Sequence, residues 1–466
     1  MADEGGEGVM VPGHLLDYEQ GRQVTPEIKA TVFTEDDHPI RPGDLDREAL
    51  KVLYRLRDAG FSGYLVGGGV RDLYLGRKPK DFDISTNARP GQLRRLFRNS
   101  RTIGRRFRLV QVFFRGNKII EVSTLRSQSE YGLEDTQVLP ANNTFGTLEE
   151  DAFRRDLTIN SLFFEIENNT IIDYVGGVDD LNNGIVRIVG DPDVRITRDP
   201  VRILRAVRHA ARTGFTIDKA SFRAIVAHRD KLNLCPPSRI RDEILKDLVS
   251  GYSRPWGELC LKSRVFFSIF PFYDQPADED VTAELLAILA VIDRLHQSGR
   301  KKSIHLPDYM LLALLLYPWM ERQLDLLQRD LKGGGYRQLF HDVRQSLDAG
   351  ICGRFNIKRA IKEAMTTLFV NMPNFYRCQQ QNSWPKWLKR KSYFKDCNRF
   401  SALIAEAQGG TAAPTALFAD ADKGSDDIRM KINSSRGGRG VRGGNPSFSE
   451  RKGGVFGLRS SRISSL

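Results

Sequence analysis

Apolar positions change their rhythm along this chain. Between Asp46 and Ala59 they fall at Ala49, Leu50, Leu53 and Leu56, close to a helical period, and Gly60 marks the stop. Tyr64-Leu65-Val66 is a short apolar run, read as a buried strand, and Gly67-Gly68-Gly69 follow at once. Val70 to Leu75 reads as a short helix ended by Gly76. Asp81-Phe82-Asp83-Ile84 alternates polar with apolar, the period of a strand. Arg108 to Phe114 and Lys118 to Val122 flank Arg115-Gly116-Asn117 as a hairpin, and Phe163 to Ile166 with Thr170 to Tyr174 suggest another strand pair. Beyond Asp199 the pattern turns helical: Pro200 to Thr213, Lys219 to His228, Ser238 to Gly251, Val281 to His296, Pro307 to Arg329, and more to about Gln408. The expected class is α+β, a small mixed sheet ending near Tyr174 and then helices only.

Both ends depart from this pattern. Residues 1–44 are rich in Gly, Pro and acids without sustained periodicity, which predicts a disordered lead-in. From Gly409 the composition turns to Gly, Ala, Ser and Asp, then to Arg-Gly-Gly clusters, a tail expected to hold no core. With 466 residues the chain has room for two or three domains. Its net charge is +13, of which the last stretch, Arg429 to Leu466, supplies +8 through nine Lys/Arg against one acid, Glu450. Such asymmetry suits a polyanion, with RNA the leading candidate. Five scattered cysteines show no metal-ligand spacing and fit a reducing cytoplasm; Cys235 and Cys260 read as buried fillers. The acidic N-terminus lacks a signal pattern, and the longest apolar run, Met310 to Leu316, is too short to cross a bilayer. A soluble, cytoplasmic protein with no membrane span is the expectation.

The chemistry lies between Tyr64 and Thr86. Three glycines let the backbone approach a triphosphate and leave N–H groups open at a helix start, and Arg71 adds positive charge. Side chains at i and i+2 of a strand share a face, so Asp81 and Asp83 project together while Phe82 and Ile84 face a core. Two such charges repel by roughly 4 kcal/mol at about 4 Å with an effective dielectric near 20. A divalent cation removes that penalty, and oxygen ligands beside phosphates favour Mg²⁺. A two-metal arrangement activates an attacking hydroxyl and stabilises departing pyrophosphate. This pattern predicts a nucleotidyl-transfer site.

GGGVRD followed by KDFDIST resembles motif A of the class II tRNA nucleotidyltransferase and bacterial poly(A) polymerase superfamily. The likeness continues, in family order, through Glu149 to Phe164, Asp173 to Pro192 and Arg198 to Phe215. It implies a nucleotidyltransferase head at 45–175, a base-reading helical neck at 176–260, a helical RNA-binding body at 261–408 and a basic tail at 409–466. It further implies that Asp156 is a third active-site acid near the ribose, with Arg155 near the phosphates and Asn160 in the same motif. Glu121 resembles an acid of the family's EV-x-T-x-R segment and stands open between site residue and structural salt bridge. Asp199 and Arg202 would read the base, one as acceptor and one as planar donor fork, although Asp before Pro is also a common helix start. The family's Glu is replaced here by Arg198. Arg202, Arg205, Arg208 and Arg212 form one basic stripe, a solvated face or a phosphate contact. Gly176-Gly177 resemble the family hinge, and Arg241, Glu243 and Lys246 a motif that braces the pocket.

Ile103 to Val112 (IGRRFRLVQV) resembles the signature of bacterial poly(A) polymerases, apart from Thr102 in place of a first aliphatic. The expected activity is therefore template-independent addition of AMP to RNA 3′ ends, in mRNA processing and with RNA-decay machinery as partner. CCA addition to tRNA is the alternative, and an RNA-binding protein without catalysis a third reading, opposed by the intact acids. Trp384, Lys386 and Trp387 interleave aromatic with basic residues, as single-stranded RNA contacts do, while the tryptophans could instead pack on a body helix. Arg436, Arg439 and Arg442 would grip phosphates without reading sequence.

Overall fold

The computed structural model describes residues 29–104, 108–127, 145–273, 278–298, 304 and 306–418. They form two compact units, residues up to Arg202 with 215–221 in the first, and 203–214 with everything after 221 in the second.

The first unit carries the sheet. Its elements are β1 (Thr31–Phe33), α1 (Arg47–Asp58), β2 (Gly63–Val66), α2 (Gly68–Tyr74), β3 (Asp83–Thr86), α3 (Pro90–Leu96), β4 (Ser100–Ile103), β5 (Leu109–Phe113) and β6 (Ile119–Thr124). There follow α4 (Leu148–Phe153), β7 (Phe163–Glu165), β8 (Thr170–Asp173), α5 (Gly177–Asn182), β9 (Ile185–Val186) and α6 (Pro192–Arg198). Helix α7 (Val201–Thr213) starts here, and β10 (Thr216–Ile217) pairs in parallel with β9. The eight-stranded sheet runs β1-β8-β7-β2-β3-β6-β5-β4. Only β3 and β6 pair in parallel within it; its other neighbours are antiparallel. Asp46 caps α1 by accepting from the N–H groups of Glu48 and Ala49, and the helix buries Ala49, Val52, Leu53 and Leu56. Leu65, Ile84 and Val122, on three adjacent strands, are fully buried.

The second unit is helical. After the body of α7 come α8 (Lys219–His228), α9 (Pro237–Leu248), α10 (Ser253–Lys262), α11 (Val265–Ile269), α12 (Glu279–Ser298) and α13 (Asp308–Leu324). The chain continues through α14 (Gly335–Leu347), α15 (Arg359–Gln380), α16 (Lys386–Lys389) and α17 (Phe394–Ala407). The apolar run Met310 to Leu316 lies in α13 and is buried all round, so it is core. Among the described residues no helix is long and apolar enough to cross a membrane. Cys235 and Cys260 are buried free thiols, as expected of fillers.

The structure differs from the sequence reading at three boundaries. Thr31–Phe33, inside the expected lead-in, adds an edge strand by pairing with β8, a long-range contact that local periodicity cannot report. The first unit does not stop near Tyr174 but runs to Arg202. Gly176 and Gly177 therefore lie inside it; Gly176 has φ +75°, and a Cβ on Gly177 would meet the Thr158 carbonyl oxygen at 2.3 Å. Residues 409–418 are not free tail. Phe418 and Ala413 are buried, the Leu417 carbonyl accepts from Arg399 at 2.8 Å, and the Ala413 N–H donates to Glu406 at 2.8 Å. Hydrogen bonds from side chains to main chain hold this segment, which leaves no periodic trace in sequence. Calls on residues 1–28, 105–107 and 419–466 lie outside the described residues.

Candidate active site

Strand β2 ends at Val66, and the turn to α2 requires Gly67, whose φ of +70° disfavours any side chain. A Cβ there would also lie 3.6 Å from the Arg155 guanidinium. Gly68 and Gly69 enter α2, with Gly69 close over Asp81 and Phe82. The alternation expected at 81–84 is present: Asp81 and Asp83 are exposed while Phe82 and Ile84 are buried, although β3 itself begins only at Asp83.

Asp83 stands in register with Glu121 on β6. Desolvation of its carboxyl, then the charges of Glu121 and Asp81, push its pKa up to about 6, against the pull of Arg155. Gln111 donates to Glu121 at 2.9 Å. Among the described residues no three His, Cys, Asp or Glu side chains converge as a closed metal site. Asp81, Asp83 and Glu121 gather like charge at one end of β3, a repulsion that a hard cation would relieve.

Arg155 is fixed from several sides. It donates to Asp151 at 2.8 and 3.1 Å, to the Ser85 hydroxyl at 3.2 Å and to the Asn160 carbonyl at 3.2 Å, and lies 4.9 Å from the Phe163 ring centroid. Asp151, wholly buried, also takes Arg154 at 2.7 Å and the Arg126 N–H at 3.2 Å. Sequence reasoning missed Asp151; its spacing of three and four residues from Arg154 and Arg155 on a helix was the available signal. Arg71, expected at the phosphates, is 3% exposed and spans Asp72 and Asn160, the latter at 2.6 Å. Burial inside a small helix turns its charge inward. It braces Asn160, which ties α2 to the Asp156 segment.

The Asp156 carboxylate meets Arg202 at 2.6 Å. Arg202 also donates to the carbonyls of Arg155 at 2.9 Å and Arg154 at 3.2 Å. Arg195, not singled out from sequence, donates to the same Arg155 carbonyl at 2.7 Å. Burial and then Arg202 push its guanidinium down to about 9, with Asp156 opposing. Arg198 adds positive charge on the same side, and Asp199 lies between α6 and α7. Arg202, Asp156 and Arg195, with Asp199 in the field of Arg195, thus belong to one cluster with the main chain of Arg154 and Arg155.

Further along α7, in the second unit, the basic stripe splits. Arg208 does not face a phosphate: it pairs with Asp247 and, at 2.5 Å, with Glu243, both buried carboxylates that a single helix face cannot reveal. Arg205 is half-buried with Glu243 in its field. Trp384 lies 5.5 Å from both Phe375 and Phe394, the packing alternative, whereas Lys386 and Trp387 are exposed. Arg436, Arg439 and Arg442 lie outside the described residues.

Residues 63–187 match the family described as "Poly A polymerase head domain", and residues 214–275 match "Probable RNA and SrmB- binding site of polymerase A". Poly(A) polymerase I of Escherichia coli O6:H1 is 40% identical over 402 residues, 84% of this chain and 84% of that protein. A CCA-adding enzyme of Lactobacillus helveticus is 38% identical over 48% of this chain and 55% of its own length. Among solved structures, the Bacillus stearothermophilus CCA-adding enzyme in complex with CTP covers 85% of this chain and 83% of its own, with TM-score 0.58 and 21% identity, a likeness of fold. Likeness to this CCA-adding sequence covers about half of the chain, whereas likeness to the polymerase covers 84% of it. By sequence, this chain belongs to the bacterial poly(A) polymerase I family of nucleotidyltransferases.

Proposed function

We propose that the protein is a template-independent poly(A) polymerase that transfers AMP from ATP to the 3′ hydroxyl of RNA and releases pyrophosphate. The observation that carries this reading is 40% identity to a poly(A) polymerase I across 84% of both chains. Asp81 and Asp83 would hold Mg²⁺, a role supported by the raised pKa of Asp83 among like charges. The bound cation supplies activation of the attacking hydroxyl and stabilisation of the leaving pyrophosphate. The main chain of Gly67 to Gly69 brings N–H groups to the phosphates. Arg155, aimed by Asp151 and Ser85, adds positive charge beside them. Asp156 takes the ribose side, and Asp199 with Arg202 reads the adenine edge. Transcript 3′ ends are the substrate, RNA processing and decay in the cytoplasm the setting, and decay machinery the partner. The match of residues 214–275 supports RNA contact by that segment.

A plain RNA oligonucleotide and a tRNA lacking its 3′ end, each offered single NTPs and then the mixture with Mg²⁺, test the assignment. Long A-tracts on the plain oligonucleotide are expected. Short CCA additions confined to the tRNA would replace this reading with the CCA-adding one.

A further inference from the structure

A cavity of about 430 Å³ opens in the first unit, away from the aspartates, between Arg89, Pro90, Arg108, Thr124, Arg126 and Phe145. Three of these side chains are guanidinium groups, and among the described residues no acid lines it. Arg89 and Arg108 are exposed. The guanidinium of Arg89 lies 5.4 Å from the Phe145 ring centroid. Phe145 is 42% exposed, and its main chain pairs with Arg126 in an isolated bridge, which holds the ring at the rim. Burial and the nearby Arg154 push the Arg126 guanidinium down to about 10, with Asp151 opposing. Guanidinium groups gather in this corner, and an anion bound among them would be favoured. An exposed aromatic face among arginines without acids suits a phosphodiester with its base stacked on the ring.

Position decides which nucleotide this is. Thr124 is in register with Thr86, three residues along β3 from Asp83. At about 3.3 Å per residue the cavity begins roughly 10 Å from the metal-binding end of that strand. The glycine turn occupies the near end, where the incoming triphosphate goes. A strand whose 3′ hydroxyl sits at the aspartates has room to run over the far end, away from the glycine turn. Arg108 also lies in the segment that resembles the poly(A) polymerase signature, and no step of the chemistry described above uses it.

We propose that this cavity holds one nucleotide of the RNA strand beyond the two at its 3′ terminus, about three nucleotides back at roughly 3.4 Å each, with the phosphate among Arg89, Arg108 and Arg126 and the base on Phe145. This rests on RNA being the substrate. The test compares full-length Arg89→Ala, Arg108→Ala and Phe145→Leu with the parent, using a dinucleotide primer and longer oligoadenylates. For long primers KM for RNA should rise roughly tenfold, while KM for ATP and kcat hold and the dinucleotide is unaffected. Each lost arginine should flatten the log–log salt dependence of RNA binding by about one. Equal effects on short and long primers, or none, overturn the proposal; no effect is also what a protein-binding cavity would give. In the unmodified chain, RNA carrying 4-thiouridine at successive positions from its 3′ end should crosslink to the peptide holding Phe145. Absence of that crosslink at every position overturns the proposal without any variant. Failure of the enzymatic reading looks different, since the parent would then extend no primer at all.

Discussion

Asp83 draws its character from residues that lie far apart in sequence. Asp81 shares its face by local alternation, but Glu121 reaches it only through parallel pairing of β3 with β6. Replacing Asp81 or Asp83 with Ala should lower turnover by orders of magnitude with the thermal transition preserved, because neither belongs to the apolar core and losing one relieves repulsion among like charges. Near-parental rates in both variants would remove them from the chemistry. Arg202 and Asp199 should separate in a nucleotide-competition assay. Arg202→Ala is expected to lower kcat as well as the preference for ATP over CTP, because the same guanidinium holds Asp156. Asp199→Asn should alter the preference with a smaller change in kcat. An unchanged ATP/CTP ratio in both variants would refute base reading by this pair.

At the scale of elements, α7 shows how one helix face is put to different uses. Its arginine stripe reads from sequence as a uniform basic surface. Burial instead commits Arg208 to Glu243 and Asp247 on α9, whose carboxylates are 6% and 1% exposed. Arg208→Met should therefore cost about 3–5 kcal/mol in urea unfolding, because two buried acids lose their counter-charge. A loss under about 1 kcal/mol, the scale of a surface pair, would show that the triad is not cohesive. The segment after α17 makes a second case. Cutting the chain after Gln408 removes buried Phe418 and Ala413 and the carbonyl that accepts from Arg399, whereas cutting after Phe418 removes none of them. The shorter chain should melt several degrees lower, a loss of about 2–4 kcal/mol, and the longer one should match the full chain. Equal melting of all three would show that residues 409–418 add nothing to the body.

For the whole molecule, the charge beyond Phe418 is expected to act on RNA rather than on folding. Deleting 419–466 should weaken RNA binding mainly at low salt and flatten its salt dependence, with ATP turnover on saturating primer retained. An unchanged salt slope would exclude the tail from the RNA path. Much of this protein was legible in one dimension. Glycines forced by a turn, acids two apart on a strand and helical spacing in the later chain are local patterns, because a turn, a pleat and a helix constrain residues only a few positions apart. Those patterns, with the ordered motifs, determined the reaction, the α+β class and most elements. What they could not determine were partners chosen across the chain. Asp151 aiming Arg155, Arg71 turned inward to Asn160, Arg202 tied to Asp156, β1 closing the sheet edge and Phe418 docked on the body all depend on which surfaces meet. Burial decides whether an arginine faces a carboxylate or solvent, and burial belongs to the folded chain alone.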